Sequence, residues 1–233
     1  MKTGRRHLDP MLLTTVLALV GLGIVMVYSA GGIYAADLYG NELRFLTRQL
    51  MAFGIGLVGM LVASRIPYQL YRRWTYPILG VVLLLLIAVF IPGVGSTQGG
   101  ATRWIPFLGF NLQPSELAKI ALVIYLAYSL EKKQPHIGTF SVGILPHLIV
   151  VGLALMLILM EPDFGTTAVI AAILFAMMFV AGTRILHLGA IAAAAVPLAA
   201  LALMGAEYRR QRLMAFLDPW ADQADSGFQI IQS

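Results

Sequence analysis

The sequence predicts an all-α integral membrane protein, a polytopic helical bundle with about seven transmembrane helices. Two observations support this prediction. Of the 233 residues, 59% are hydrophobic and 12% are charged, whereas an ordinary soluble domain carries about 25% charged residues. In addition, clusters of charged residues divide the chain into apolar runs that approach the length of a bilayer crossing. A soluble fold of this composition would lack the polar side chains that its surface needs.

The apolar runs follow one another along the whole chain, which indicates one transmembrane domain over residues 1–233. They are Met11–Ala30, Leu50–Ser64, Pro77–Ile91, Ser115–Leu130, Gly143–Met160, Thr166–Ala181 and Leu188–Met204. The first run lies in an uncharged stretch of 27 residues, longer than the roughly 7–15 apolar residues of a signal peptide. We therefore expect it to be a retained helix. The chain contains no cysteine, which excludes disulfides.

The distribution of charge predicts the orientation. If the N-terminus is cytoplasmic, the inner segments contain nine basic and two acidic residues, and the outer segments contain six basic and eight acidic residues. This difference, net +7 against net −2, is what the positive-inside rule describes. The formal net charge of +5 is thereby explained by topology, and no nucleic-acid partner is expected.

The first informative motif runs from Arg103 to Lys119, RWIPFLGFNLQPSELAK. Pro114 ends any preceding helix, and Ser115 is expected to cap the next one. Glu116 and Lys119 are three residues apart, so they share a helix face and can pair. One interpretation is a structural ion pair. The other is that Lys119 and Arg103 face a cavity and hold a substrate anion, because ionised groups in a membrane helix need a partner or water.

The second motif is EPDFGTT, from Glu161 to Thr167. Asp163 is well placed to cap the helix that follows. The carboxylates of Glu161 and Asp163 are also weak candidates for ligands of a hard divalent cation. Both interpretations stay open at this point.

The third motif begins with three arginines, Arg209, Arg210 and Arg212, in a segment predicted to lie outside. These residues run against the positive-inside trend. Arginine binds phosphate oxygens in a bidentate fork, but an amphipathic helix touching lipid headgroups would also explain them. Asp218 follows in a predicted turn.

These three stretches, in this order, resemble signature regions of the SEDS family, which includes FtsW, RodA and a sporulation homologue. The forms ELAK and AFLDPWAD (Ala215–Asp222) are more similar to the FtsW branch. The resemblance implies a complete fold of ten transmembrane helices in the bacterial cytoplasmic (inner) membrane. It also implies a peptidoglycan glycosyltransferase that polymerises lipid II into glycan strands on the outer side during cell division. The implied partners are a class B penicillin-binding protein and other divisome membrane proteins. No organic cofactor is implied, and a divalent cation, Mg²⁺ or Mn²⁺, is compatible with this activity.

The resemblance also assigns roles to residues. Family members continue to an outer-loop motif of the LPEAHTDF type, whose aspartate is regarded as the catalytic base. This sequence has no counterpart, so we expect an N-terminal fragment, truncated in the outer loop after the seventh span and inactive by itself. Substrate-binding candidates for the diphosphate leaving group are Arg103, Lys119, Arg209, Arg210 and Arg212. Supporting candidates are Gln113, Ser115, Glu116, Asp163 and Asp218.

Two other classes of function fit the same sequence. A lipid II flippase would use charged residues within a span to line its path. A non-catalytic membrane scaffold of the division machinery would need only the spans. Polymer formation from purified lipid II distinguishes the enzyme from both alternatives.

Overall fold

Each of the seven apolar runs corresponds to an α-helix in the computed structural model, which describes residues 9–98, 101–107 and 110–204. Within these residues the α-helices are α1 (Pro10–Tyr39), α2 (Arg44–Arg65), α3 (Tyr68–Ala88), α4 (Pro114–Lys132), α5 (Leu145–Met160), α6 (Phe164–Val180) and α7 (Ile185–Met204). A 3-10 turn (Gln134–His136) follows α4, and a π-helical turn (Phe140–Ile144) leads directly into α5. The helical segments long and apolar enough to cross a membrane, by length and composition, are Pro10–Gly32, Arg44–Arg65, Tyr68–Ala88 and Phe140–Met160. Two shorter apolar segments are Phe164–Val180 and Ile185–Leu201. The prediction of a polytopic helical membrane fold is confirmed.

The first helix shows how local signals set helix ends. The Asp9 side chain accepts a hydrogen bond of 2.9 Å from the backbone N–H of Met11, and Pro10 occupies the first helical position. Both features favour a helix start. The helix then continues past Ala30, where the predicted run ends, to Tyr39. It is capped by Gly40, whose φ of 65° is left-handed and whose N–H donates to the Ala36 carbonyl. Hydrophobicity alone therefore underestimated the length of this helix.

The chain divides into two compact units, Met1–Arg73 and Trp74–Ser233. In the first unit, α1 packs against α2. Gly31 of α1 lies against the Phe45 ring, because an added Cβ would come within 3.1 Å of the ring carbon Cδ2. A small residue here permits this close approach of the two helices.

In the second unit, α4, α5 and α6 pack against one another around an apolar core. Buried positions recur every three or four residues, as expected for one face of a helix. They include Val151, Ala154 and Ile158 on α5 and Ile170, Leu174 and Met178 on α6. The core therefore lies between these three helices, and Leu79, Val82 and Leu86 of α3 also belong to it.

A polar bridge within this core joins α4 to α5. His147 is fully buried; its Nδ1 is 2.8 Å from the Gly143 carbonyl oxygen, and its Nε2 is 2.9 Å from the Ser129 hydroxyl. Because a carbonyl oxygen only accepts, Nδ1 carries a proton and Ser129 satisfies the other ring nitrogen. The hydrogen bonds offset the cost of burying a polar ring.

The segment between α3 and α4 contains a small antiparallel sheet that the sequence analysis does not predict. Its strands are β1 (Ser96–Gln98), β2 (Ala101–Phe107) and β3 (Phe110–Leu112), in the order β1-β2-β3. Strand β2 lies beside α4. The sheet therefore brings Arg103, a residue of β2, toward the start of α4.

Candidate functional site

Polar side chains from two of the sequence motifs meet where α4 and α6 begin and α5 ends. We call this group the junction cluster and define it as Arg103, Gln113, Ser115, Glu161 and Asp163. Arg103 comes from β2, Gln113 and Ser115 from the start of α4, and the two acidic residues from the turn between α5 and α6. The structure thus joins two stretches that lie about fifty residues apart in the sequence, since Gln113 and Asp163 differ by 50 positions.

Asp163 lies at the centre of the junction cluster. Its Oδ2 accepts a hydrogen bond of 2.9 Å from the Gln113 amide and one of 3.3 Å from the Ser115 hydroxyl. Its Oδ1 accepts the backbone N–H of Thr166 at 3.1 Å, which confirms the predicted cap of α6. Both carboxyl oxygens of Asp163 are thus satisfied by protein donors. Asp163 therefore fixes the start of α6 to the start of α4.

The role predicted for Ser115 is wrong in one respect. Helix α4 begins at Pro114, and Gln113 occupies the cap position without a side-chain cap bond. Pro114 takes the first helical position because its missing N–H and fixed φ suit it. Ser115 consequently lies in the first turn, fully buried, where its hydroxyl bonds Asp163 rather than its own helix.

Glu161 has the opposite environment to Asp163. Its side chain is 0% exposed, and neither carboxyl oxygen has a hydrogen-bond partner. Burial, reinforced by the negative charge of Asp163 and opposed by the positive charge of Arg103, raises the pKa of Glu161 from 4.5 to about 8. The sequence indicates the acidic pair but not the burial of Glu161. The one feature of the sequence that could have indicated this burial is the position of Glu161 immediately after an apolar helix.

Arg103 approaches the same buried region from β2. The residue as a whole is half-buried, while its Nε is fully buried and has no hydrogen-bond partner. Ile105 of the same strand pairs with Leu112, the residue before Gln113, and Gln113 bonds Asp163. The positive charge of Arg103 also lowers the pKa of Glu161. The strand that carries the predicted substrate-binding residue Arg103 is therefore linked, through β3 and Gln113, to the turn that carries the predicted acidic pair.

The predicted pair of Glu116 and Lys119 forms on the first turns of α4. The Lys119 ammonium is 2.7 Å and 2.8 Å from the two carboxylate oxygens of Glu116. The side chains are 55% exposed for Glu116 and 30% exposed for Lys119. The pairing predicted from the spacing is confirmed. The role of Lys119 in binding an anion stays a prediction.

The remaining site candidates, Arg209, Arg210, Arg212 and Asp218, lie outside the described residues. The described residues contain no group of three histidine, cysteine, aspartate or glutamate side chains arranged to hold a metal ion. A cation at Glu161 and Asp163 would therefore need further ligands from water or substrate phosphates, which is usual for Mg²⁺. That site stays a prediction.

A family model described as a cell cycle protein, FtsW/RodA/SpoVE, matches residues 10–233. Among curated relatives, a protein of Trichlorobacter lovleyi named probable peptidoglycan glycosyltransferase FtsW is 47% identical over 225 residues, or 97% of this chain and 59% of the relative. A protein of Geobacter metallireducens with the same name is 43% identical, with 97% and 60% coverage. Stage V sporulation protein E of Bacillus subtilis is 36% identical over 100% of this chain and 64% of its own length. The chain thus spans about three-fifths of the length of these relatives.

Solved structures agree with this result. One is described as "Structural coordination of polymerization and crosslinking by a peptidoglycan synthase complex". A chain of that structure superposes with a TM-score of 0.74 at 30% identity, and the match covers 96% of this chain and 63% of that chain. The rod shape determining protein RodA of Thermus thermophilus superposes with a TM-score of 0.60 at 28% identity, covering 79% of this chain and 58% of that one.

Proposed function

The chain belongs to the FtsW/RodA/SpoVE family of cell cycle proteins, and we propose that the whole protein is a peptidoglycan glycosyltransferase that polymerises lipid II during septal wall synthesis. The observation that carries this proposal is the junction cluster. Two of the three motifs that resemble the family are joined there by hydrogen bonds to Asp163. The names of the relatives, which refer to a peptidoglycan glycosyltransferase, support the same activity.

The reaction defines what the site must supply. A sugar hydroxyl of one lipid-linked molecule attacks the anomeric carbon of another, the bond from that carbon to the diphosphate breaks, and undecaprenyl diphosphate leaves. A carboxylate base takes the hydroxyl proton, and cationic groups stabilise the charge that builds on the diphosphate. We assign the second task to Arg103, Lys119, Arg209, Arg210 and Arg212. We assign the base to the family's outer-loop aspartate, which has no counterpart within residues 1–233.

The same proposal predicts the membrane location, the partner proteins and the metal ion of the whole protein. The chain is a multi-pass membrane protein by its long apolar helices and its family. We place it in the bacterial inner membrane, with a cytoplasmic N-terminus and the junction cluster on the outer side. We also propose a class B penicillin-binding protein and other divisome proteins as partners, because one of the similar structures is a peptidoglycan synthase complex. A divalent cation, Mg²⁺ or Mn²⁺, would be held by an outer-face carboxylate such as Asp163 and would supply positive charge that stabilises the leaving diphosphate.

Purified lipid II tests the activity. The whole protein, purified with its transpeptidase partner, should convert fluorescent lipid II into glycan strands that lysozyme digests. In liposomes, a flippase would instead translocate lipid II without forming polymer. Translocation without strands would replace the proposed activity by transport, and neither product would favour a scaffold.

A further inference from the structure

Glu161 carries the least compensated polar group of the junction cluster. The side chain is completely buried, and both carboxyl oxygens are without a hydrogen-bond partner. Transfer of a carboxyl group from water to such a position is costly, in either protonation state, unless a donor or an opposite charge compensates it. The position therefore calls for a partner.

Two charged side chains, Asp163 and Arg103, act on Glu161, and only Arg103 has a hydrogen-bonding group without a partner. Asp163 repels it and is itself held by Gln113, Ser115 and the backbone of Thr166. Arg103 attracts it, and the Nε of Arg103 is a buried donor without an acceptor. The cluster thus contains both a buried acceptor without a donor and a buried donor without an acceptor.

We propose that Glu161 is a positioning residue for Arg103, whose Nε–H it accepts when the substrate diphosphate binds. Hydrogen bonds of an active site are often long without substrate and tighten in the substrate complex. The contact uses one edge of the guanidinium group and leaves the terminal nitrogens for two phosphate oxygens. This inference rests on the proposed function, because it takes Arg103 as a diphosphate-binding residue.

The positioning role differs in its requirements from that of a cation ligand. A carboxyl group offers an acceptor oxygen to Nε–H whether or not it is ionised, and a glutamine amide offers one as well. A cation ligand would need the negative charge, and the positive charge of Arg103 nearby opposes a cation at Glu161. Replacing Glu161 by glutamine and by leucine therefore separates the two roles.

The experiment measures binding and turnover in the whole protein. The variants are Glu161→Gln, Glu161→Leu, Arg103→Lys and the double variant Glu161→Leu/Arg103→Lys. The first readout is the Kd for undecaprenyl diphosphate in mixed micelles, and the second is the rate of lipid II polymerisation. Thermal unfolding checks that each variant is folded, and Glu161→Ala replaces Glu161→Leu in the cycle if the latter misfolds.

We expect Glu161→Gln to keep the Kd within about threefold of wild type, whereas Glu161→Leu weakens binding about tenfold or more, as loss of a hydrogen bond to a charged group does. Arg103→Lys removes the Nε–H but keeps the charge. The leucine substitution should then have almost no further effect, within about twofold, because the two residues act through one contact.

Two results would overturn the inference. Independent losses that multiply in the double variant would show that Glu161 does not act through Arg103. A Glu161→Gln variant as weak as Glu161→Leu would show that the negative charge is required, as for a cation. Binding of undecaprenyl diphosphate by wild type without any polymerisation would refute the proposed function alone, and the binding cycle would still decide the inference.

Discussion

At the scale of single residues, the turn between α5 and α6 places two acidic side chains in opposite environments. Asp163 accepts three hydrogen bonds, whereas Glu161 accepts none and is fully buried. Burial raises the pKa of Glu161 to about 8, and a carboxyl group with a strongly perturbed pKa is common at functional sites. The hydrogen bonds of Asp163 hold the two motifs together, whereas the unpaired carboxyl group of Glu161 can accept a hydrogen bond from Arg103.

The pKa of Glu161 predicts how stability depends on pH. Because the folded-state pKa is raised from 4.5 to about 8, the native state binds more protons than the unfolded state between these values. Stability should therefore fall as the pH rises through this window. Thermal unfolding of the purified protein at pH 6 and pH 8.5 should show a loss of Tm, and Glu161→Gln should reduce that loss. An equal loss in both proteins would show that Glu161 is not the titrating group.

The exposed pair on α4 gives a second prediction at this scale. In the whole protein, Lys119→Ala should lower polymerisation by about 10²-fold or more, as removal of an electrostatic stabiliser does. Glu116→Lys/Lys119→Glu restores a pair with reversed charges, so the swap distinguishes a structural pair from an anion-binding lysine. We expect the swapped protein to stay inactive. Near-normal polymerisation by the swapped protein would mean that the pair is only structural.

At the scale of elements, the bridge between α4 and α5 is the best test of packing. Ser129→Ala removes the hydroxyl 2.9 Å from His147 Nε2 and leaves that nitrogen buried without a partner. Such a loss costs about 1–3 kcal/mol, so the Tm should fall measurably. Ser64→Ala serves as a control, because the Ser64 hydroxyl is exposed and bonds only its own helix, at Leu61. Equal shifts in the two variants would show that the bridge contributes nothing specific.

The helices could be predicted from sequence, while their ends and the small sheet could not. Apolar runs identify spans, but α1 ends at Tyr39 because of the left-handed cap at Gly40, well past its last predicted residue Ala30. The sheet was missed because β1 and β3 have three residues each and show no clear alternation. Its available signals were Gly99-Gly100, a typical hairpin dipeptide, and the β-favouring Thr102, Trp104 and Ile105.

The sequence predicted which residues belong to the candidate site, but it did not predict which of them are in contact. Asp163 as a cap and the pairing of Glu116 with Lys119 follow from local spacing, which the sequence contains directly. The bonds from Gln113 and Ser115 to Asp163 depend on how α4 packs beside α6, and one sequence does not reveal that packing. Burial of Glu161 depends on the same packing.

At the scale of the whole molecule, the charge asymmetry predicts which segments face the outside. Single cysteines at Gln98, Gln223 and Ser226 should react with an impermeant thiol reagent added to intact cells. A cysteine at Gln134 should react only after the membrane is permeabilised. Because residues 1–233 contain no cysteine, they contribute no background labelling. Labelling at Gln134 in intact cells would contradict the proposed orientation.

The most direct test of the central claim is the rate at which the whole protein and its Asp163→Ala variant polymerise purified lipid II. We predict glycan strands from wild type and a rate lower by about 10²-fold in the variant. Loss of the bonds that align the two motifs displaces the groups that hold the diphosphate, and small displacements of this kind have effects of that size. The unfolding temperature verifies that the variant is folded. If wild type forms no glycan strands, the glycosyltransferase activity is contradicted. If a folded Asp163→Ala protein polymerises lipid II at the wild-type rate, the site is not organised by the junction cluster.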